Sequence, residues 1–251
     1  MRLLITGMHG TVGPRLGEHA RRAGHDVVAW DRAQVPPEDE AGGERLLAGQ
    51  RPDAIVHLAF GAEAWAGRLA DAARRRGIPM VYTSTAMVFA PRPDGPHTIT
   101  SARTAVDDYG AYKIRCEDAV MGANPEAMVA RLAYQVDPHG GGNNLVAHLD
   151  ARAASGGRVE ASTRWIPALA MLDDTAAALL SLVEHPEPGV HHLDANAEPA
   201  WTHHQVVTAL AAWLGRSWQV VATEDPEHDQ RLLGSVRVPS LATRIPLPPG
   251  G

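Results

Sequence analysis

Arg2-Leu3-Leu4-Ile5-Thr6-Gly7-Met8-His9-Gly10-Thr11-Val12-Gly13 stands at the head of the chain, and its reading decides the fold. Leu3 to Ile5 predicts a short buried strand, since the run is too brief for the apolar core of a signal peptide. Three glycines follow at Gly-x-x-Gly-x-x-Gly spacing. Gly7 permits a tight turn, Gly10 lets backbone approach a pyrophosphate, and Gly13 lets helix and strand pack closely. A helix predicted over 13–24 and stopped at Gly24 would aim its first amides at the phosphates. Val27-Val28-Ala29-Trp30 predicts the second strand, ending at Asp31, 18 residues beyond Gly13. An acid there accepts hydrogen bonds from ribose hydroxyls and repels a 2′-phosphate, which slightly prefers NAD. Arg32 beside it is able to grip a 2′-phosphate, so NADP stays open.

The pattern continues outward. Residues 35–43 are rich in Pro, Gly and acids and read as a loop. Ala54 to Ala59 predicts a third strand, 64–76 a helix closed by Gly77, and Met80 to Thr83 a fourth strand. Residues 91–104 read as a Pro-containing loop, about 108–122 as a helix, and Met128 to Leu132 as another strand. Short apolar runs alternating with helices imply parallel strands joined by crossover helices. Beyond Leu132 the pattern loosens. Gly140 to Asn144 reads as a loop, 145–155, 173–185 and 203–214 as helices, and the tail from 224 as irregular. The expected architecture is α/β, a Rossmann doubly wound parallel sheet with a small C-terminal substrate-binding lobe. Residues 1–135 form its dinucleotide-binding core. Residues 136–251 form mostly the lobe, with one or two strands returning to the core.

Bulk properties narrow the function. The 251 residues are 45% hydrophobic with a net charge of −6, which argues against a nucleic-acid partner. No apolar run nears the roughly 20 residues that span a bilayer. Cys116 is the single cysteine, which suits a reducing, cytoplasmic compartment. Of 23 basic residues one is lysine, Lys113. It stands four residues after Tyr109, so a helix puts both on one face. An ammonium near a phenol favours the phenolate and predicts a lowered tyrosine pKa. Such a tyrosine can exchange a proton with a carbonyl oxygen. Ser84 and Thr85 close the fourth strand at the sheet edge where ligands bind, and a hydroxyl there is able to orient a carbonyl. Thr85 is the first choice and Ser84 the fallback. Thirteen histidines include His191-His192 and His203-His204, but adjacent strand residues face opposite ways, so no metal is expected. His203 and His204 are read as opening a surface helix, and Asp173 and Asp174 as acids at a helix N-terminus.

Together these residues resemble the extended short-chain dehydrogenase/reductase family, and within it the dTDP-4-dehydrorhamnose reductase branch. The resemblance covers most of the chain. It is carried by the glycine loop, Asp31-Arg32, Arg51-Pro52-Asp53, Ser84-Thr85-Ala86-Met87-Val88-Phe89, Tyr109-Gly110 with Lys113 and Glu117, Gly142-Asn143-Asn144, and Asp173-Asp174. It implies catalytic roles for Thr85, Tyr109 and Lys113, with Lys113 also touching the nicotinamide ribose. It implies cofactor contacts at Gly7, His9, Gly10, Thr11, Val12, Gly13, Asp31, Arg32, Leu58, Ala59 and Phe60. Substrate contacts are expected at Ser84, Ala86, Arg131, Asn144 and Trp165, with Trp201 as a second candidate pocket wall. Departures are equally specific. Ala86 and Met87 stand where dehydratases carry acids, which argues against water elimination. No asparagine occurs near Ala62–Ala64, where the family's proton relay has one, and the segment from Phe60 to Gly77 is short. Pro36 sits near where the family carries an acid that helps hold adenine.

The expectation is an NAD(P)H-dependent ketoreductase acting on a nucleotide-linked 4-keto-deoxysugar or a secondary-metabolite ketone. An NAD-dependent sugar-nucleotide epimerase and a non-catalytic dinucleotide-binding regulatory subunit are the alternatives. The partner is a small-molecule ketone, with neither nucleic acid nor membrane; a homodimer through helices flanking the sheet is what the resemblance implies.

Overall fold

The computed structural model describes residues 1–91, 95–140, 142–234 and 238–246. Gly141, parts of the 91–104 loop and parts of the tail lie outside the described residues. The strands β1 (Arg2–Thr6), β2 (Asp26–Ala29), β3 (Ala54–His57), β4 (Met80–Thr85), β5 (Met128–Leu132) and β10 (Gly189–Leu193) form one parallel sheet. Its order is β10-β5-β4-β3-β1-β2. The chain therefore leaves β1 in one direction to β2, then crosses back to β3 on the other side. That reversal opens a crevice beyond the carboxyl ends of β1 and β3, where open α/β sheets bind ligands.

Strand residues alternate between two cores. Leu3, Ile5, Ala54, Val56, Val81, Met128 and Ala130 face one side, where α1 (Val12–Arg22) packs on α6 (Leu172–Glu184). Leu4, Ile55, Met80, Tyr82 and Val129 face the other, with α3 (Glu63–Arg76) packed on α4 (Asp108–Ala123). Both faces are buried, so the strands read as continuous apolar runs. Each fully buried Leu or Ile contributes about 1.5–3 kcal/mol. β10 is the strand that returns from the C-terminal part, pairing with β5 from Gly189↔Met128 to Leu193↔Leu132.

The remaining elements are β6 (Tyr134–Val136), α5 (Leu145–Gly156), β7 (Arg158–Ser162), β8 (Trp165–Ile166), β9 (Leu169–Met171), α7 (His203–Leu214), β11 (Gln219–Thr223) and β12 (His228–Asp229). Three small parallel pairs, β11-β7, β12-β8 and β6-β9, tie them together. None of these strands joins the main sheet.

Several expectations are corrected here. Residues 40–43 are not loop but the first turn of α2 (Glu40–Gln50), capped by the Asp39 side chain on Gly42 N. Gly43 lies against the Trp30 ring, so the glycines that suggested a loop instead admit a neighbour. His203 is buried against the Trp165 ring rather than on a surface helix. The tail from 224 holds β12 and a 3-10 turn, Leu241–Thr243. Asp174 pairs with Arg244 (2.6 Å) and Asp173 with His19 (3.1 Å), contacts beyond the helix dipole.

Three of the buried histidines are held neutral. Burial depresses His57 to about 3, His192 to about 4 and His203 to about 4, against an ordinary 6.5. Unfolding below 6.5 therefore takes up protons that the native state refuses, and stability falls as pH drops toward these folded values. Asp194, raised to about 7 by burial although three backbone amides bond it, acts in the opposite sense with one proton. The net expectation is acid destabilisation, checked by urea midpoints between pH 7 and 4. A midpoint that is flat or rises on acidification would refute the buried neutral state of these rings.

Candidate active site

The glycine loop is built by contacts that no side chain tolerates. Gly7 has φ +77, and a Cβ there would lie 2.9 Å from Ala59 N. A Cβ on Gly13 would lie 2.3 Å from the Gly7 carbonyl oxygen. Gly10 N donates to that same oxygen at 3.0 Å. Below the loop, Thr6 Oγ1 accepts from Leu58 N and Ala59 N, both at 3.1 Å. With both lone pairs taken, its hydroxyl donates to His57 Nδ1 at 2.7 Å. Thr6 thus bolts the end of β1 to the end of β3.

The loop fits a dinucleotide pyrophosphate. α1 starts after Thr11 with no side-chain cap and no acid in its first turn, leaving its first amides for an anion. By contrast, α2, α4, α5 and α7 are capped by Asp39, Asp107, Asn144 and Thr202, and α3 and α6, which also lack a side-chain cap, carry acids in their first turns. Thr11 Oγ1 accepts from Asn143 N at 3.2 Å, so the loop before α5 leans on the glycine loop. His9 and Gly10 are exposed, and Val12 is half-buried. Asp31 is exposed at the end of β2, with Oδ1 accepting from Ala33 N at 2.9 Å. Arg32 donates to the Phe60 carbonyl at 3.1 Å and lies over the Trp65 ring. Phe60 is 62% exposed and rests on the Tyr112 ring.

Tyr109 and Lys113 sit in the first two turns of α4. Asp107 caps the helix on Gly110 N at 2.8 Å. Gly110 presses against the end of β4, since a Cβ on it would meet the Met87 carbonyl at 2.2 Å. This contact fixes Tyr109 and Lys113 relative to Thr85. Lys113 is buried, and its Nζ donates to the Thr83 carbonyl at 2.9 Å and the Tyr82 hydroxyl at 3.3 Å. Its Nζ lies 5.9 Å from the Tyr109 ring centre. The expected lowering of the tyrosine pKa is not found: burial and the Asp107 charge hold Tyr109 above its ordinary value. Burial meanwhile brings Lys113 down to about 8. The hydrogen bonds of Lys113 Nζ go to Tyr82 and Thr83.

Thr85 Oγ1 accepts from Met87 N at 3.2 Å, which leaves its hydroxyl proton to be donated. Ser84 and Ala86 are buried on either side of Thr85. Arg131 corrects the expectation of a substrate ligand. Its guanidinium is buried, bonds Glu117 through Nε (3.0 Å) and Nη2 (2.8 Å), and lies over Phe89. Asn144 is likewise turned inward, capping α5 on Ala147 N at 3.1 Å. Trp165 is half-buried in β8, and Trp201 is buried in the core. Sequence reasoning missed Thr6, His57 and Tyr82. Alternation along β4 was the available signal for Tyr82, since it puts Tyr82 beside Met80 on the face that α4 covers.

Comparison with known proteins agrees with this geometry. The family profile described as RmlD substrate binding domain matches residues 1–66 and 62–230. The dTDP-4-dehydrorhamnose reductase of Mycolicibacterium smegmatis is 30% identical, covering 97% of this chain and 76% of that protein. The protein of the same name from Mycobacterium tuberculosis is 32% identical over 73% of this chain and 66% of its own length. The crystal structure of dTDP-4-dehydrorhamnose reductase from Bacillus anthracis in complex with NADP superposes with a TM-score of 0.80. It is 18% identical and covers 95% of each chain. WbmH of Bordetella bronchiseptica in complex with NAD+ gives 0.75 at 19% identity, covering 93% of this chain and 89% of that one. This chain belongs to the RmlD substrate binding domain family.

Proposed function

We propose that the chain is an NAD(P)H-dependent ketoreductase that reduces the 4-keto group of a nucleotide-linked deoxysugar. The observation that carries the reading is the single lysine, buried one helical turn from Tyr109 and bonded to the Thr83 carbonyl of β4, the strand that ends at Thr85. The reductases related to it by sequence support the substrate class. NAD(P)H, cradled by Gly7 to Gly13, supplies the hydride when bound.

Every other role falls to the chain's own residues. Thr85 donates its hydroxyl proton to the ketone oxygen and holds the carbonyl in place. Tyr109 gives its proton to that oxygen as negative charge develops there. A raised phenol pKa suits a donor that must stay protonated until the transfer. The buried Lys113 ammonium, its Nζ 5.9 Å from the Tyr109 ring centre, then stabilises the phenolate left behind. Ala86 and Met87 present no carboxylate, so nothing beside Thr85 is equipped to eliminate water. Reduction is the step this set of groups supports.

Asp31 governs the choice of dinucleotide. Its exposed carboxylate repels a 2′-phosphate, and Arg32 is engaged by the Phe60 carbonyl. NADH is the preferred donor in this reading. Asp31→Ala should shift the ratio of kcat/KM toward NADPH by about tenfold, equivalent to roughly 1.4 kcal/mol. The assay is oxidation of each dinucleotide with dTDP-4-keto-6-deoxysugar as acceptor. An unchanged ratio would remove Asp31 from the cofactor site, and no oxidation of either donor with any keto-sugar nucleotide would reject the function.

A further inference from the structure

Lys113 is the only lysine, and its ammonium must be held where the proton step needs it. The structure shows what holds it. The Thr83 carbonyl accepts one of its protons at 2.9 Å and the Tyr82 hydroxyl another at 3.3 Å. The ammonium also lies 4.9 Å from the centre of the Tyr82 ring, within range of its negative face. Tyr82 is itself clamped. It is 1% exposed, and its ring packs on His57, which Thr6 fixes at the end of β3.

We propose that Tyr82 is the positioning residue for Lys113, holding its Nζ through the phenol in both protonation states of the lysine. The proposal rests on the reductase reading for its kinetic consequence, though not for the contact itself. The chemistry distinguishes the two partners. A carbonyl only accepts, so Thr83 holds Nζ through a proton that Nζ supplies. A phenol both accepts and donates. It accepts from the ammonium, and when Nζ is deprotonated it is able to donate to the neutral amine. No asparagine lies in the segment Phe60–Gly77 to serve this purpose.

The other groups around Nζ do not replace this contact. His57 on β3 is neutral. On α4, Tyr109 and Tyr112 present their rings at 5.9 and 5.8 Å, and Cys116 lies beside Tyr82 and Tyr112. Tyr112 spends its hydroxyl on the Gly61 carbonyl at 2.7 Å. Glu117 is bound by Arg131 of β5 and by Arg103.

The single lysine makes the test direct. Protein labelled with 15N-lysine carries one ε-ammonium signal, whose titration reports Lys113 alone. In Tyr82→Phe the ring remains and only the hydroxyl is lost. The phenol holds the ammonium more strongly than the neutral amine, because that hydrogen bond is charge-assisted, so the expected result is a midpoint about one unit lower than wild type. With the keto-sugar nucleotide, kcat should fall about tenfold and its alkaline limb should move down with the midpoint, while KM stays within about twofold. An unchanged midpoint and kcat in a folded variant would overturn the proposal. So would a change confined to KM. If the variant does not fold, wild-type protein gives the same reading: a nuclear Overhauser contact between the ammonium protons and the Tyr82 ring is expected, and its absence overturns the assignment. Wild-type protein without turnover on any keto-sugar nucleotide would reject the reductase reading instead, leaving the titration to decide the role of Tyr82.

Discussion

Tyr109→Phe should lower kcat by about 10²–10⁴-fold while cofactor affinity stays within about twofold, the usual scale for loss of a general acid. The substitution removes one oxygen. The ring remains on the first turn of α4, and that turn is set by elements that do not involve the hydroxyl: the Asp107 cap and the contact of Gly110 with the Met87 carbonyl. Lys113 keeps its bonds to Tyr82 and Thr83, so the lysine is not displaced. The loss is therefore confined to the proton delivered to the ketone oxygen. Steady-state turnover with the keto-sugar nucleotide, paired with NADH titration by fluorescence, separates the two quantities. Retained turnover would mean that another group supplies the proton.

The largest effect on stability is expected at Glu117. Its side chain and that of Arg131 are 3% and 4% exposed, and two hydrogen bonds join them. Arg103 adds a third cationic contact at 3.3 Å. Removing one partner of such a pair leaves the other charge buried without compensation, which costs about 3–5 kcal/mol. Glu117→Ala should therefore lower the unfolding free energy by that amount in urea. Replacing the pair together by apolar residues of similar volume should cost less than the single change. The consequence reaches the site, because Glu117 lies one turn beyond Lys113 on the same helix. A loss below about 1 kcal/mol, the scale of an exposed pair, would contradict this account.

The nucleotide-binding half was open to reading because its signals are local. The strand–glycine–helix run, the acid after β2 and the Tyr109–Lys113 spacing each lie within a few residues, and strand alternation assigns the faces. What stayed hidden depends on contacts between distant segments. Arg131 looks like an anion ligand until Glu117 is brought beneath it from α4. Asn144 looks like a polar contact residue until the amide of Ala147 takes its oxygen. α2 was obscured by Gly42, which makes room for the capping Asp39 carboxylate, and by Gly43, which admits Trp30. The strands β6, β8, β9 and β12 are two or three residues long, too short for periodicity to declare, and β7 and β11 mix their apolar residues with polar ones. Tyr82 could be placed on a face, but its role depends on where a lysine 31 residues later puts its ammonium.

One measurement tests the central claim most directly: NADH oxidation, followed by nicotinamide absorbance, when purified wild-type protein and Tyr109→Phe are mixed with dTDP-4-keto-6-deoxysugar. The account predicts stoichiometric oxidation by the wild type, reduction of the keto group in the recovered sugar nucleotide, and turnover lower by at least about 10²-fold in the variant. Tight NADH binding with no oxidation in either protein would contradict it, and would mark the chain as a dinucleotide-binding subunit rather than a reductase.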